Sequence, residues 1–175
     1  MPINPYASLL KKLTQNKIKF VVIGVSGINY YADDPGTLFS TRDLDILVQP
    51  TGKNVYATLR LLEKNRCELE SNGEPVVEVD QWLTSKILEQ RAVITARKGS
   101  SLRVDIVTDA GRIPYEKWRK GCRYFLVQGV KIPVGGLPEL ILAKKNSNRE
   151  KDRQFLALYR IQLKEMLEKA KRSGH

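Results

Sequence analysis

Thr41-Arg42-Asp43-Leu44-Asp45-Ile46-Leu47-Val48 decides how this chain is read. Leu44, Ile46 and Val48 alternate with Asp43, Asp45 and Leu47, which is the two-residue period of a β-strand. Asp43 and Asp45 therefore project from one face, roughly 6–7 Å apart along the strand. Two carboxylates side by side at the margin of an apolar core repel each other and are costly to desolvate. A divalent cation between them relieves both penalties, and hard oxygen donors at this spacing suit Mg²⁺ or Mn²⁺. The alternative is an exposed sheet edge, where the aspartates meet water or lysine partners.

A third carboxylate stands in similar surroundings. Asp105 lies inside Arg103-Val104-Asp105-Ile106-Val107, although aspartate is disfavoured within strands. If its strand neighbours that of Asp43, three carboxylates meet on one face and hold one or two metal ions. One ion then binds a triphosphate and the other lowers the pKa of an attacking hydroxyl. Alone, Asp105 fits an exposed strand position equally well.

Upstream, Phe20-Val21-Val22-Ile23 is a short continuous apolar run ending at Gly24, as a buried strand does. Gly24-Val25-Ser26-Gly27 then leads into a short helix over Ile28 to Ala32. Backbone N–H groups after Gly24 and the Ser26 hydroxyl can hold a phosphate there, though glycines after strands also make plain turns. Asp33-Asp34-Pro35-Gly36 is a turn signal.

Elsewhere the pattern alternates helices and strands. Tyr6, Leu9, Leu10 and Leu13 predict an amphipathic helix near 5–16. Thr51 is placed to cap a helix buried through Val55, Leu59 and Leu62. Residues 67–74 read as a weak strand and turn, Val76 to Val79 as another strand, and 82–90 as a short helix. Ala92 to Ala96 and Leu102 to Val107 make a hairpin about Gly99. Tyr124 to Val127 and Val130 to Val134 pair around Gln128-Gly129, and Pro138 opens a helix. Ser147 to Glu150 has the spacing of a capping box. Phe155, Tyr159, Leu163, Met166 and Ala170 then line one face of a last helix. The cations at the junction, Lys144, Lys145, Arg149 and Lys151 with Asp152, either meet a triphosphate or form a solvated charge run. The expectation is one α+β domain over 1–175: a mixed sheet flanked by helices, a core of about 17–145 and a C-terminal amphipathic helix over about 148–171.

Composition narrows the chemistry. With 42% hydrophobic and 28% charged residues the 175-residue chain reads as a globular protein. No apolar run approaches the roughly 20 residues of a membrane span. Met1 to Pro5 do not resemble a signal peptide, and Cys67 and Cys122 read as reduced thiols, so the expected location is cytoplasmic. The single histidine, His175, excludes His-based triads and His-rich metal sites. The net charge of +11 points to a polyanionic partner: RNA, DNA, nucleotide phosphates or an acidic protein. A small-molecule acceptor rich in amines needs an acidic pocket instead, which Asp33, Asp34, Glu78 and Asp80 can supply.

The order strand, Gly-x-Ser, short helix, loop and Asp-x-Asp strand resembles the nucleotidyltransferase superfamily that includes DNA polymerase β. Asp105 in Val-Asp-Ile-Val resembles that superfamily's third carboxylate. Leu137-Pro138-Glu139-Leu140-Ile141, Lys144, then Arg149-Glu150-Lys151-Asp152 is similar to the AbiEii-type nucleotidyltransferases, toxin components of bacterial toxin–antitoxin systems. Thr41 matches as well, and the resemblance spans roughly 17–160. It implies a compact sheet with flanking helices and Mg²⁺-dependent transfer of a nucleoside monophosphate from an NTP such as ATP to a hydroxyl. Asp43 and Asp45 would hold the metals, and Asp105 would complete the second site. Gly24 and Ser26 would bind the triphosphate, Lys144 would contact the nucleotide, and Arg149 and Asp152 would support it. The implied partners are an NTP, an acceptor such as RNA or the 3′ end of tRNA, and a cognate antitoxin protein. The chain departs from the pattern at Val25, in the length of the 33–40 loop, and at Phe155, where relatives carry an acid. A non-catalytic relative that binds nucleic acid or a partner protein is the competing expectation.

Overall fold

A computed structural model of the chain describes residues 6–33, 35–41 and 43–173. Helix α1, Ala7–Gln15, buries Leu9, Leu10 and Leu13 as their spacing requires. Strand β1, Phe20–Ile23, is buried at every position. Helix α2, Gly24–Asn29, starts at once, and a 3-10 turn covers Pro35–Thr37. Strand β2, Leu44–Val48, comes from the stretch quoted first. Helix α3, Gly52–Lys64, is capped by Thr51, which accepts from the Asn54 N–H. Strands β3, Glu68–Ser71, and β4, Glu74–Pro75, make a small hairpin. Helix α4, Gln81–Gln90, is capped by Asp80, which accepts from the Leu83 N–H at 2.8 Å. Strands β5, Ile94–Lys98, and β6, Leu102–Val107, form the expected hairpin. Helix α5, Tyr115–Gly121, precedes β7, Arg123–Val127, and β8, Val130–Val134. Helices α6, Leu137–Ser147, α7, Glu150–Leu158, and α8, Arg160–Arg172, complete the chain.

The eight strands make one mixed sheet in the order β4-β3-β5-β6-β2-β1-β8-β7. The β2–β6 and β1–β8 pairs are parallel and the others antiparallel. Strand alternation divides the apolar residues between two layers. Leu44, Ile46 and Val48 face a core shared with Leu9, Leu10 and Leu13 of α1 and Val55, Leu59 and Leu62 of α3. Val21, Ile23 and Leu47 face the other core, built with Trp118 of α5, Leu140 of α6 and Leu163 of α8. The architecture is α+β, a mixed sheet between two helical layers, with helix at the C-terminal end. No helix among the described residues is long and apolar enough to cross a membrane.

Three expectations are corrected. The C-terminal helix is broken at Tyr159, where ψ opens to 19°. There Phe155 and Tyr159 both close on Phe39, at 5.0 and 4.7 Å between ring centroids. The capping box does not form: Ser147 ends α6, Arg149 precedes α7 with no side-chain cap, and the Ser147 hydroxyl lies 2.5 Å from Asp152 Oδ2. The hydroxyl donates to a nearly fully buried carboxylate instead of accepting from a helix N–H. Val76 to Val79 pairs into no strand; only the Val76 N–H continues the hairpin, donating to Leu69 O. Helix α5 carries no strong sequence signal beyond Pro114 and the Tyr115–Trp118 spacing, yet Trp118 is fully buried. Asp34 and Arg42 lie outside the described residues.

Candidate functional site

The site lies at one end of the central strands. Strand β1 ends at Ile23, opposite Asp45 of β2. Asp45 in turn pairs with Asp105 of β6, a parallel neighbour. Because the even-numbered residues of β2 and β6 are committed to the first core, Asp43, Asp45 and Asp105 all turn to the opposite face. There they line a cavity of about 590 Å³ with Gly24, Lys144 and Arg149. The structure thus brings together the carboxylates of two separate sequence motifs.

Gly24 adopts φ +69°, and a Cβ built on it would lie 2.5 Å from Asp45 Oδ2. A side chain is excluded there twice, by backbone conformation and by the carboxylate. Ser26 sits behind the cavity. Its hydroxyl donates to Ile23 O at 2.8 Å and accepts from the Asp45 N–H at 3.3 Å. It therefore ties the start of α2 to β2 and is not aimed at the cavity. Thr41 Oγ1 donates to Asp43 O at 3.3 Å and braces the entry to β2.

The electrostatics centre on Asp45. Burial, then the charges of Asp105 and Asp43, push its carboxyl up to about 6, against the weaker pull of Lys144 and Lys151. Two further residues contact its neighbours. Arg103 Nε stands 3.7 Å from both Asp43 Oδ2 and Asp105 Oδ1. Thr95, which faces Asp105 across the β5–β6 ladder, donates to Asp105 Oδ1 at 2.7 Å. Both were accessible to pattern reading: Arg103 is two residues from Asp105 on one strand, and Thr95 is its hairpin partner.

On the far wall, α6 and α7 form a closed ion cluster. Asp152 is 1% exposed and receives Lys144 Nζ at 3.2 Å and Arg149 Nε at 2.8 Å, besides the Ser147 hydroxyl. Burial alone would raise its carboxyl, but these three donors outweigh burial and hold it at about 2. Lys144 Nζ also lies 4.6 Å from the Phe155 ring centroid. Lys144, Arg149 and Asp152 are therefore a single unit bordering the cavity.

Three crowded carboxylates are the donor chemistry of a hard divalent cation, and the raised Asp45 shows what such an ion would relieve. Among the described residues no three acidic, His or Cys side chains already converge as a metal-ligand set. Arg103 stands beside two of the three carboxylates, with its Nε 3.7 Å from Asp43 Oδ2 and from Asp105 Oδ1, buried and without a hydrogen bond. The donor types fit a metal, and Arg103 is a counter-ion already beside two of them. Of the acids considered for an amine-rich acceptor, the three described ones are not gathered. Asp33 pairs with Lys169, while Glu78 and Asp80 line a separate cavity beside Trp82.

No family model matches the chain, and no curated protein matches it. Among solved structures it is similar to the crystal structure of an antigenic nucleotidyltransferase-like protein from Paracoccidioides brasiliensis. The TM-score is 0.46 at 15% identity, over 85% of this chain and 68% of that one. A likeness of that degree assigns no function.

Proposed function

We propose that this protein is a Mg²⁺- or Mn²⁺-dependent nucleotidyltransferase that moves a nucleoside monophosphate from an NTP to a hydroxyl, releasing pyrophosphate. The observation that carries the proposal is the placing of Asp43, Asp45 and Asp105 on one face of adjacent strands, in a cavity bordered by Gly24 and Lys144.

Asp43, Asp45 and Asp105 would hold the metal. When bound, a divalent ion would neutralise the three carboxylates and lower the pKa of the acceptor hydroxyl. Asp105 Oδ1 is engaged by Thr95, which leaves Oδ2 to accept the hydroxyl proton. Gly24 keeps the space beside Asp45 open. Lys144 and Arg149 supply positive charge to the phosphates, and Asp152 fixes where those cations stand. Ser26 positions Asp45 through its backbone N–H.

The acceptor we favour is RNA, such as the 3′ end of tRNA, because a chain of net charge +11 suits a polyanion. The resemblance of the Lys144 to Asp152 segment to AbiEii-type toxins supports a role opposite a cognate antitoxin protein. The test uses labelled NTPs with total RNA. Wild-type protein should label tRNA, and Asp45→Asn should not. Label entering only protein or a small molecule rejects tRNA.

One observation favours a second reading, a non-catalytic relative that binds nucleic acid or a partner protein. Arg103 already pairs with Asp43 and Asp105, and Ser26 is turned away from the cavity. Calorimetry with Mg²⁺ and each NTP separates the two. Binding that requires metal and weakens in Asp43→Asn supports the enzyme, and absence of binding with every NTP supports the second reading.

A further inference from the structure

One run of positive charge lies apart from the aspartates. From Lys117 to Lys131 the sequence contains Lys117, Arg119, Lys120, Arg123 and Lys131 but no Asp or Glu. This segment covers most of α5, all of β7 and the start of β8, and β7 is an edge strand of the sheet. Its arginines lie against aromatic rings. The Arg119 guanidinium is 5.6 Å from the Tyr124 ring centroid, and that of Arg123 is 5.8 and 5.5 Å from those of Tyr31 and Phe125. Among the described residues neither arginine reaches a carboxylate at ion-pair distance. Tyr124 is 50% exposed. Tyr31, Cys122, Arg123, Tyr124 and Glu139 line a cavity of about 640 Å³.

Sheet register places this cleft relative to the aspartates. Arg123 is opposite Val134, Val134 is opposite Val22, and the next residue of β1, Ile23, is opposite Asp45. Arg123 and Asp45 thus lie at the same end of the sheet, three strand spacings or roughly 14 Å apart. Phe125 and Val127 pack on the first core, so Tyr124 emerges on the other face, the one that carries Asp43, Asp45 and Asp105.

We propose that this cleft docks a single-stranded nucleic acid whose free end passes around helices α5 and α6, which cover the sheet between, to reach the three aspartates. Planar tyrosine and guanidinium groups stack unpaired bases of any sequence. The cations of α5 and β7 neutralise the phosphates between them. Glu139 packs against Gly121 and Gly136 in the wall of the cavity, where its carboxylate accepts from a base amino group. The proposal rests on the nucleotidyltransferase reading only for the direction in which the strand runs.

The experiment measures fluorescence anisotropy of a labelled oligoribonucleotide and of an oligodeoxyribonucleotide of matching sequence with the full chain, and polyglutamate as competitor. The arm that binds identifies the sugar. Tyr124→Ala should weaken binding about tenfold, while Tyr124→Phe, which keeps the ring, should bind as wild type. Arg119→Gln should lower the slope of log affinity against log salt by about one. Wild-type binding by both Tyr124→Ala and Arg119→Gln overturns the proposal, as does equal competition by polyglutamate at matched charge. Loss of strand binding in these variants, with no nucleotide transfer by wild type from any NTP, supports the dock and rejects the enzyme reading. Normal transfer with strand binding unchanged by Tyr124→Ala rejects the dock alone.

Discussion

Gly24 and Asp45 approach so closely that a Cβ on Gly24 would sit 2.5 Å from Asp45 Oδ2. Gly24→Ala therefore forces the β2 carboxylate to move and places alanine at φ +69°. The backbone conformation alone costs about 1–2 kcal/mol, and the displaced carboxylate adds to it. Urea denaturation should show a loss of at least that size. Nucleotide transfer should fall more steeply than stability, since Asp45 is moved even in the molecules that fold.

Asp45→Asn should act in the opposite direction on stability. The carboxyl is held at about 6, above its ordinary range, so at neutral pH it is ionised against its surroundings. A raised acid of this kind costs stability when ionised, and the cost disappears as pH falls through 6 toward 4. Replacing it with the neutral amide should stabilise the chelator-treated protein at pH 7 by up to about 3 kcal/mol. Thermal unfolding checks this: a higher Tm for Asp45→Asn in EDTA, with Mg²⁺ raising the Tm of wild type but not of the variant. An unchanged or lower Tm in EDTA would mean that the three carboxylates are not under mutual strain.

The central sheet and its acidic residues were legible because they obey short-range rules. The period of two in Leu44, Ile46 and Val48 fixes which face Asp43 and Asp45 take, and the same period does so for Asp105. What the sequence did not reveal depends on contacts between distant segments. Whether Asp105 meets Asp45 is settled by β2–β6 pairing across about 60 residues of chain, which no local pattern encodes. The Ser147 to Glu150 spacing pointed to a capping box, yet the buried Asp152 carboxylate took the hydroxyl. Ser26 looked like a phosphate ligand until its partners, Ile23 O and the Asp45 N–H, were known. Arg103 and Thr95 were overlooked because they become part of the site only through the carboxylates they face.

The Asp152 cluster gives a pH-dependent prediction. Its carboxyl is held at about 2, below the ordinary value near 3.8. A depressed acid contributes stability that is fully present above its unfolded pKa and is lost as pH falls through the folded one. About 2 kcal/mol should therefore disappear between about pH 4 and pH 2. Asp152→Asn should lack that component and unfold with a shallower acid dependence over the same window. At pH 7 the variant should be less stable by about 3 kcal/mol, because Lys144 and Arg149 lose their shared buried partner. Urea titrations at several pH values measure both effects, and parallel acid profiles for the two proteins would contradict the cluster.

Arg103 sets the sign of the last prediction. Its Nε lies 3.7 Å from Asp43 Oδ2 and 3.7 Å from Asp105 Oδ1. It is thus an internal counter-ion that partly satisfies two of the three carboxylates and leaves Asp45 the most crowded. Removing it takes one positive charge from the site, so Arg103→Gln should lower the Tm of the chelator-treated protein. It should also tighten Mn²⁺ binding in the absence of nucleotide, by about tenfold if the change is worth about 1.4 kcal/mol. Wild-type protein should bind Mn²⁺ weakly alone and more tightly with an NTP, because the triphosphate brings negative charge that draws Arg103 off the aspartates. Calorimetry with Mn²⁺, with and without a non-hydrolysable NTP, reads both quantities directly. Weaker Mn²⁺ binding in Arg103→Gln would instead make the guanidinium a brace that holds Asp43 and Asp105 in ligating positions.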